Sequence, residues 1–210
     1  MAQQEWGEGS PMYVASILGR FPDSLEDTLI RRSWVDIALK ADLSPGVPHV
    51  LAVDVARGGR DKTVAARAEG RRRSIVWKST SADLMATVGW IATYMDAHLE
   101  LQRRVVVDDV GVGGGVTDRL REQGYQVIAF QGGAKAKDEK RYANATTEAW
   151  CLMAKAFETE KIALGDDPEL VGQLVARRVH IQSDKRLILE SKENLKAKGG
   201  KSPDCGDALS

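Results

Sequence analysis

Two periodicities alternate along the chain. Short unbroken apolar runs, such as V-L-A-V at 50–53 and V-V-V at 105–107, read as buried strands, while apolar residues three and four apart read as helices packed on one face. Leu29, Ile30, Trp34, Ile37 and Ala38 predict a helix within 27–40, with Ser33 as an N-cap for the part beginning at Trp34. Pro45 and Pro48 make a linker into a strand at 49–54, closed by the Gly58-Gly59 turn. Strands follow at 63–68 and 74–78, and Leu84, Val88, Ile91, Met95 and Leu99 predict a helix. Next come a strand at 105–108, a glycine turn at 111–115, a helix at 116–123 closed by Gly124, and a strand at 125–130.

The last third is predominantly helical. The small, basic stretch 132–140 reads as a mobile loop, and 141–158 as a long helix with Trp150, Met153 and Phe157 inward. A short strand at 161–164 precedes a helix at 167–175, with Asp166 or Asp167 capping and Pro168 in the first turn. Segments 178–182 and 186–190 flank S-D-K as a hairpin, Ser191 caps a basic segment, and Pro203 opens a last helix.

Short connections between the first three strands require antiparallel pairing, and helical crossovers make the next strands parallel. This order, βββαβαβ, predicts an α/β fold of the ribonuclease H-like type: a mixed sheet with a three-stranded meander plus parallel strands, flanked by helices, with a C-terminal hairpin. Residues 1–47 read as an N-terminal arm and linker, and 48–210 as the domain proper.

Composition adds bounds. The chain of 210 residues is 43% apolar and 29% charged, sufficient for one core. Thirty Lys and Arg balance thirty Asp and Glu, so any nucleic-acid partner must be met by a local patch. One patch exists: 177–201 carries eight Lys and Arg against three acids. Cys151 and Cys205 lack ligand spacing and predict a reduced, cytoplasmic setting. No signal peptide or membrane span is expected.

The candidate chemistry lies where strands end in acids. Asp54 closes the first strand, R-V-V-V-D-D at 104–109 closes another, and S-P-D-C-G-D at 202–207 opens the last helix. A carboxylate at the end of a buried strand is costly unless paired or metal-bound. Asp54, Asp108 and Asp204 are therefore expected to meet around divalent Mg²⁺ or Mn²⁺, since hard ions take oxygen ligands and a two-metal site can hold both the attacking and the leaving oxygen of a phosphodiester. Asp109 is an alternative to Asp108, and Asp61 and Asp207 are accessory candidates, each equally readable as a turn former or helix-start residue. Arg177, Arg178, Lys185, Arg186, Lys192, Lys196, Lys198 and Lys201 are the candidate contacts to duplex DNA, against the ordinary reading of a solvated face. Two other motifs fail. G-V-G-G-G-V at 111–116 has Val116 where a dinucleotide fingerprint needs glycine, and G-G-K-S at 199–202 lacks the earlier glycine and preceding strand of a P-loop.

V-D-V-A-R-G-G-R-D-K-T, V-D-D-V-G-V-G-G-G-V-T-D-R-L and S-K-E-N-L-K-A-K-G-G-K-S-P-D-C-G-D-A-L, in this order, resemble the C-terminal nuclease domain of the large terminase subunit of tailed bacteriophages. S-P-M-Y-V-A-S-I-L-G-R-F-P before them is similar to the segment joining that family's ATPase domain to its nuclease. The resemblance implies an Mg²⁺- or Mn²⁺-dependent endonuclease that cuts concatemeric viral DNA during packaging, with portal and small terminase subunits as partners. It carries the strand-one acid onto Asp54, the acid of D-x-x-G-x-G onto Asp108 and the acid of S-P-D onto Asp204. The family's ATPase domain has no counterpart in this chain. The rival reading is a non-catalytic prophage remnant that binds DNA or assembles with packaging proteins.

Overall fold

The structure is a computed structural model and describes residues 28–56, 61–197 and 199–210. The arm read in 1–27, the Gly58-Gly59 turn and Lys198 lie outside the described residues.

In chain order the elements are α1 (Arg32–Lys40), β1 (His49–Asp54), β2 (Thr63–Glu69), β3 (Arg72–Ser79), α2 (Leu84–Ala97), β4 (Arg104–Asp108), α3 (Gly113–Glu122), β5 (Gln126–Phe130), α4 (Ala145–Glu158), β6 (Ala163–Leu164), α5 (Pro168–Ala176), β7 (Val179–Ile181), β8 (Leu187–Leu189), α6 (Lys192–Ala197) and α7 (Asp204–Leu209). One sheet runs β5-β4-β1-β2-β3-β6, and β7-β8 form the hairpin. β1, β2 and β3 pair antiparallel; β4 joins β1, and β5 joins β4, in parallel. The fold is the ribonuclease H-like one that the element order predicts. The short strand β6 extends the sheet by pairing parallel to β3.

Helices cover both faces. Leu51, Val53, Val105 and Val107 point to one core with Val88, Ile91 and Met95 of α2 and Val116 and Leu120 of α3. Val64 and Ala66 point to the other, with Trp150 and Phe157 of α4, Leu170 and Leu174 of α5, and Cys205 and Ala208 of α7. Alternation then puts Ala52, Asp54, Val106 and Asp108 on the second face, because neighbours along a strand point opposite ways. Packing continues across the boundary read at residue 47: Leu29, Ile30, Val35 and Ala38 are buried in the second core.

Several local readings are corrected. α1 starts at Arg32, with no side-chain cap, so Ser33 is inside the helix. α3 begins at Gly113 because a Cβ there would stand 1.7 Å from the Asp108 carbonyl oxygen; only glycine lets the helix start so close to β4. α4 starts at Ala145, where the Asn144 side chain accepts from Thr147 N–H at 2.9 Å. The stretch 132–140 is pinned: Glu148 Oε2 accepts Lys137 N–H at 2.6 Å, and Ala145 N–H donates to the Ala134 carbonyl at 2.9 Å. Asp167, and not Asp166, caps α5, accepting from Leu170 N–H at 3.0 Å.

Candidate functional site

β1 and β4 are in parallel register with Ala52 opposite Val106 and Val53 opposite Val107, so one step on Asp54 stands beside Asp108 at the same sheet end and on the same face. α7 packs across β1 and β2 and supplies the third wall. A cavity of about 340 Å³ opens there, lined by Asp54, Asp108, Asp207, Lys192, Val110, Phe130 and Thr146 among others. Asp109 does not line it. One residue past the strand, Asp109 turns to the α3 side, where its Oδ1 is 3.9 Å from the position of a Cβ on Gly114.

Asp207 is held by an arrangement that begins with glycine. A Cβ on Gly206 would come within 2.4 Å of the Trp150 ring, so glycine lets α7 sit on the indole, and Trp150 Nε1–H donates to Asp207 Oδ1 at 2.9 Å. The other oxygen of Asp207 meets the Lys192 ammonium at 2.7 Å. Lys192 therefore lines the acid cavity, paired with Asp207. Burial alone would lower its pKa, but the Asp207 and Asp54 carboxylates outweigh that and hold the ammonium above its ordinary value.

Asp54 is the most strained charge of the group. Burial, followed by repulsion from Asp207, Asp108 and Asp204, pushes its carboxyl well above the ordinary 3.8, against the opposing pull of Lys192. Burial also raises Asp108, with the Val110 N–H at 3.1 Å on its Oδ1 working the other way. Among the described residues no three His, Cys, Asp or Glu side chains yet close around one point. The chemistry nonetheless fits a hard divalent cation: oxygen donors from three elements, under-neutralised, with one lysine as counter-charge.

Asp204 is placed differently from the expectation. It is buried, and its Oδ2 accepts Lys62 N–H at 2.8 Å. It lines a neighbouring groove with Asp61, Lys62, Glu169, Lys196, Gly199, Gly200, Lys201 and Ser202, although its charge still reaches Asp54. Asp207 takes the place in the cavity expected of Asp204. Asp61 pairs with Lys196 at 2.9 Å and faces that groove. Lys62 Nζ bonds Glu169 at 2.7 Å, and Lys78 bonds Glu169 at 2.9 Å and Asp167 at 2.7 Å, an ionic cluster that ties β2 and β3 to the start of α5 under α7.

Of the basic residues, Arg178, Lys185, Lys196 and Lys201 are exposed and Arg186 half-buried beside Asp184 at 2.8 Å. Arg177 is corrected: it is 3% exposed, donates to the Glu190 carbonyl at 2.8 Å and stacks over Trp150, so it is unavailable to DNA. The hairpin around it hides a guanidinium that charge counting placed on the surface.

No protein-family model matches the chain. A curated relative, a probable terminase large subunit of Enterobacteria phage P7, is 27% identical over 209 residues, covering 91% of this chain and 42% of the relative, so the chain spans less than half of that protein's length. Among solved structures, a mutant nuclease domain of the large terminase subunit of bacterial virus Sf6, with manganese and beta-thujaplicinol, superposes at a TM-score of 0.76 with 18% identity, covering 87% of this chain and 96% of that one. The large terminase nuclease of thermophilic phage G20c with bound magnesium gives a TM-score of 0.59 at 14% identity, over 87% and 96%. In sequence and in fold, this chain resembles the C-terminal nuclease domain of the large terminase subunit of tailed bacteriophages.

Proposed function

We propose that the chain is a divalent-metal-dependent DNA endonuclease domain of a phage terminase large subunit, cutting concatemeric viral DNA during packaging. The observation that carries this reading is the meeting of two strand-end carboxylates, Asp54 and Asp108, with Asp207 of α7 in one cavity whose charge is under-neutralised. Asp54, Asp108 and Asp207 would hold Mg²⁺ or Mn²⁺, with Asp204 behind them. Two such ions supply charge stabilisation at the attacking and leaving oxygens of an in-line phosphodiester hydrolysis.

The protein's own groups do the rest. Trp150 fixes the rotamer of Asp207, the Val110 N–H orients Asp108, and Lys192 offsets acid repulsion until cations and phosphate arrive. Arg178, Lys185, Lys196 and Lys201 present positive charge to the duplex backbone, which suits cutting without base readout. Portal and small terminase subunits are the partners this reading implies, and the host cytoplasm its setting; among the described residues no helix is long and apolar enough to cross a membrane.

The test is Mn²⁺-dependent plasmid cleavage by wild type, Asp54→Asn and Asp207→Asn. Both variants are expected to lose at least a hundredfold in rate, and undiminished cutting by Asp54→Asn refutes the assignment. Full cleavage by Asp207→Asn with loss in Asp204→Asn would return the third ligand to Asp204.

A further inference from the structure

The groove beside the acid cavity, about 510 Å³, carries features that metal chemistry at the strand ends does not explain. Ser202 is 6% exposed and lines it, yet among the described residues its hydroxyl has no hydrogen-bond partner. A buried hydroxyl left unpaired is costly and asks for a partner from outside the chain. Lys201, next along, is exposed, and no acid among the described residues pairs with it. Lys196 reaches the same groove but is held by Asp61 at 2.9 and 3.0 Å, in a pair whose side chains are 45% and 40% exposed. Such an exposed pair contributes little and yields readily to a better anion. Asp204 joins the two spaces, lining the groove while its charge acts on Asp54.

We propose that this groove seats a backbone phosphate of DNA adjacent to the phosphodiester that is cut, with Lys201 and Lys196 as its cations and the Ser202 hydroxyl as its neutral donor. Asp61 stands in for that phosphate and releases Lys196 when the strand enters. The proposal rests on the nuclease reading and adds to it a fixed register for the strand. It also gives a use to G-G-K-S, which as a nucleotide-binding motif has none.

The probe is a fluorescein-labelled duplex oligonucleotide, titrated by anisotropy in Ca²⁺ over a salt series. Lys201→Gln is expected to weaken binding and to lower the slope of log affinity against log salt by about one. Ser202→Ala is expected to weaken binding about threefold to tenfold with the slope retained. Asp61→Asn is expected to tighten binding, a change that misfolding does not produce. Wild-type affinity and slope in both Lys201→Gln and Ser202→Ala overturn the seat, and so does weaker binding by Asp61→Asn. Plasmid cleavage by the wild type tests the nuclease reading separately: cutting with no variant effect removes only the seat, and neither cutting nor binding removes both.

Discussion

Replacing Asp54 with Asn is expected to make the metal-free protein more stable while it stops cleavage, a pairing that distinguishes a metal ligand from a structural acid. Burying a carboxylate costs several kcal/mol, and here Lys192 offsets only part of it, since repulsion from Asp207, Asp108 and Asp204 adds to burial. The asparagine keeps a buried amide without a partner, worth roughly 1–3 kcal/mol of cost. The difference leaves a net gain of about 1–2 kcal/mol for the variant. For a chain of 210 residues each kcal/mol moves the midpoint by roughly 2–4 °C.

Cations are expected to reverse the order. At a hundred times its dissociation constant, an ion bound only by the folded state stabilises it by about 2.7 kcal/mol, available to the wild type and denied to the variant. Differential scanning calorimetry near neutral pH therefore has the two curves crossing: Asp54→Asn melts higher in EDTA, and wild type melts higher in Mn²⁺. A lower midpoint for Asp54→Asn in EDTA, or an equal Mn²⁺ shift in both proteins, refutes the charge reasoning.

Lys192→Met removes the ammonium beside Asp207; with that lysine side chain 42% exposed, the metal-free protein should lose about 1–2 kcal/mol, and calorimetry should show tighter Mn²⁺ binding because the competing cation is gone. Arg177→Ala should cost about 2–4 kcal/mol in urea unfolding by removing the hydrogen bond to the Glu190 carbonyl and uncovering Trp150, with the salt slope of duplex binding unchanged; a slope lower by one would return Arg177 to the DNA contacts. The Lys62 hydrogen bond holds Glu169 below its ordinary 4.5, and Asp167, which burial alone would raise, is held below 3.8 by Lys78 and the Leu170 N–H. Lowered acids stabilise the fold fully above those ordinary values and lose the contribution as pH falls through the lowered ones, so the urea-midpoint gap between wild type and Glu169→Gln should be full at neutral pH and shrink in strong acid. Burial pushes Cys151 up to about 12 and Cys205 up to about 11, so neither thiol should react with Ellman's reagent at mildly alkaline pH until the protein is unfolded.

The sheet was readable because its strands are continuous apolar runs separated by short turns or by helix-length crossovers, two features that depend on local sequence and chain length. Boundaries set by a tertiary contact were not. Three glycines at 113–115 look like a loop in isolation, yet the start of α3 is decided by how closely its backbone approaches the Asp108 carbonyl, a contact between chain neighbours that bend back on each other. The short strand read at 161–164 narrows to the two residues of β6, because only Ala163 and Leu164 pair with the edge that β3 offers.

The site shows the same division more sharply. That Asp54 and Asp108 lie side by side was legible because parallel pairing of two strands that both end in an acid leaves few ways to separate them. Asp109 was undecided until Val105 and Val107 fell into the α2 and α3 core, which turns Asp108 to the face of Asp54. Asp204 and Asp207 lie three residues apart, nearly one turn of helix, and helical phase alone places both near one face. What separates them comes from elsewhere in the chain: Lys62, 142 residues before Asp204, takes its carboxylate, while Trp150, 57 residues before Asp207, seats beneath Gly206 and turns Asp207 into the cavity. The small residue before Asp207 was the available signal, since a glycine inside a short helix carries an intrinsic cost of about 1 kcal/mol that a close aromatic contact can justify. That two strands end in acids can therefore be read from each strand alone, but which of two neighbouring carboxylates faces the cavity is written in the packing beneath them.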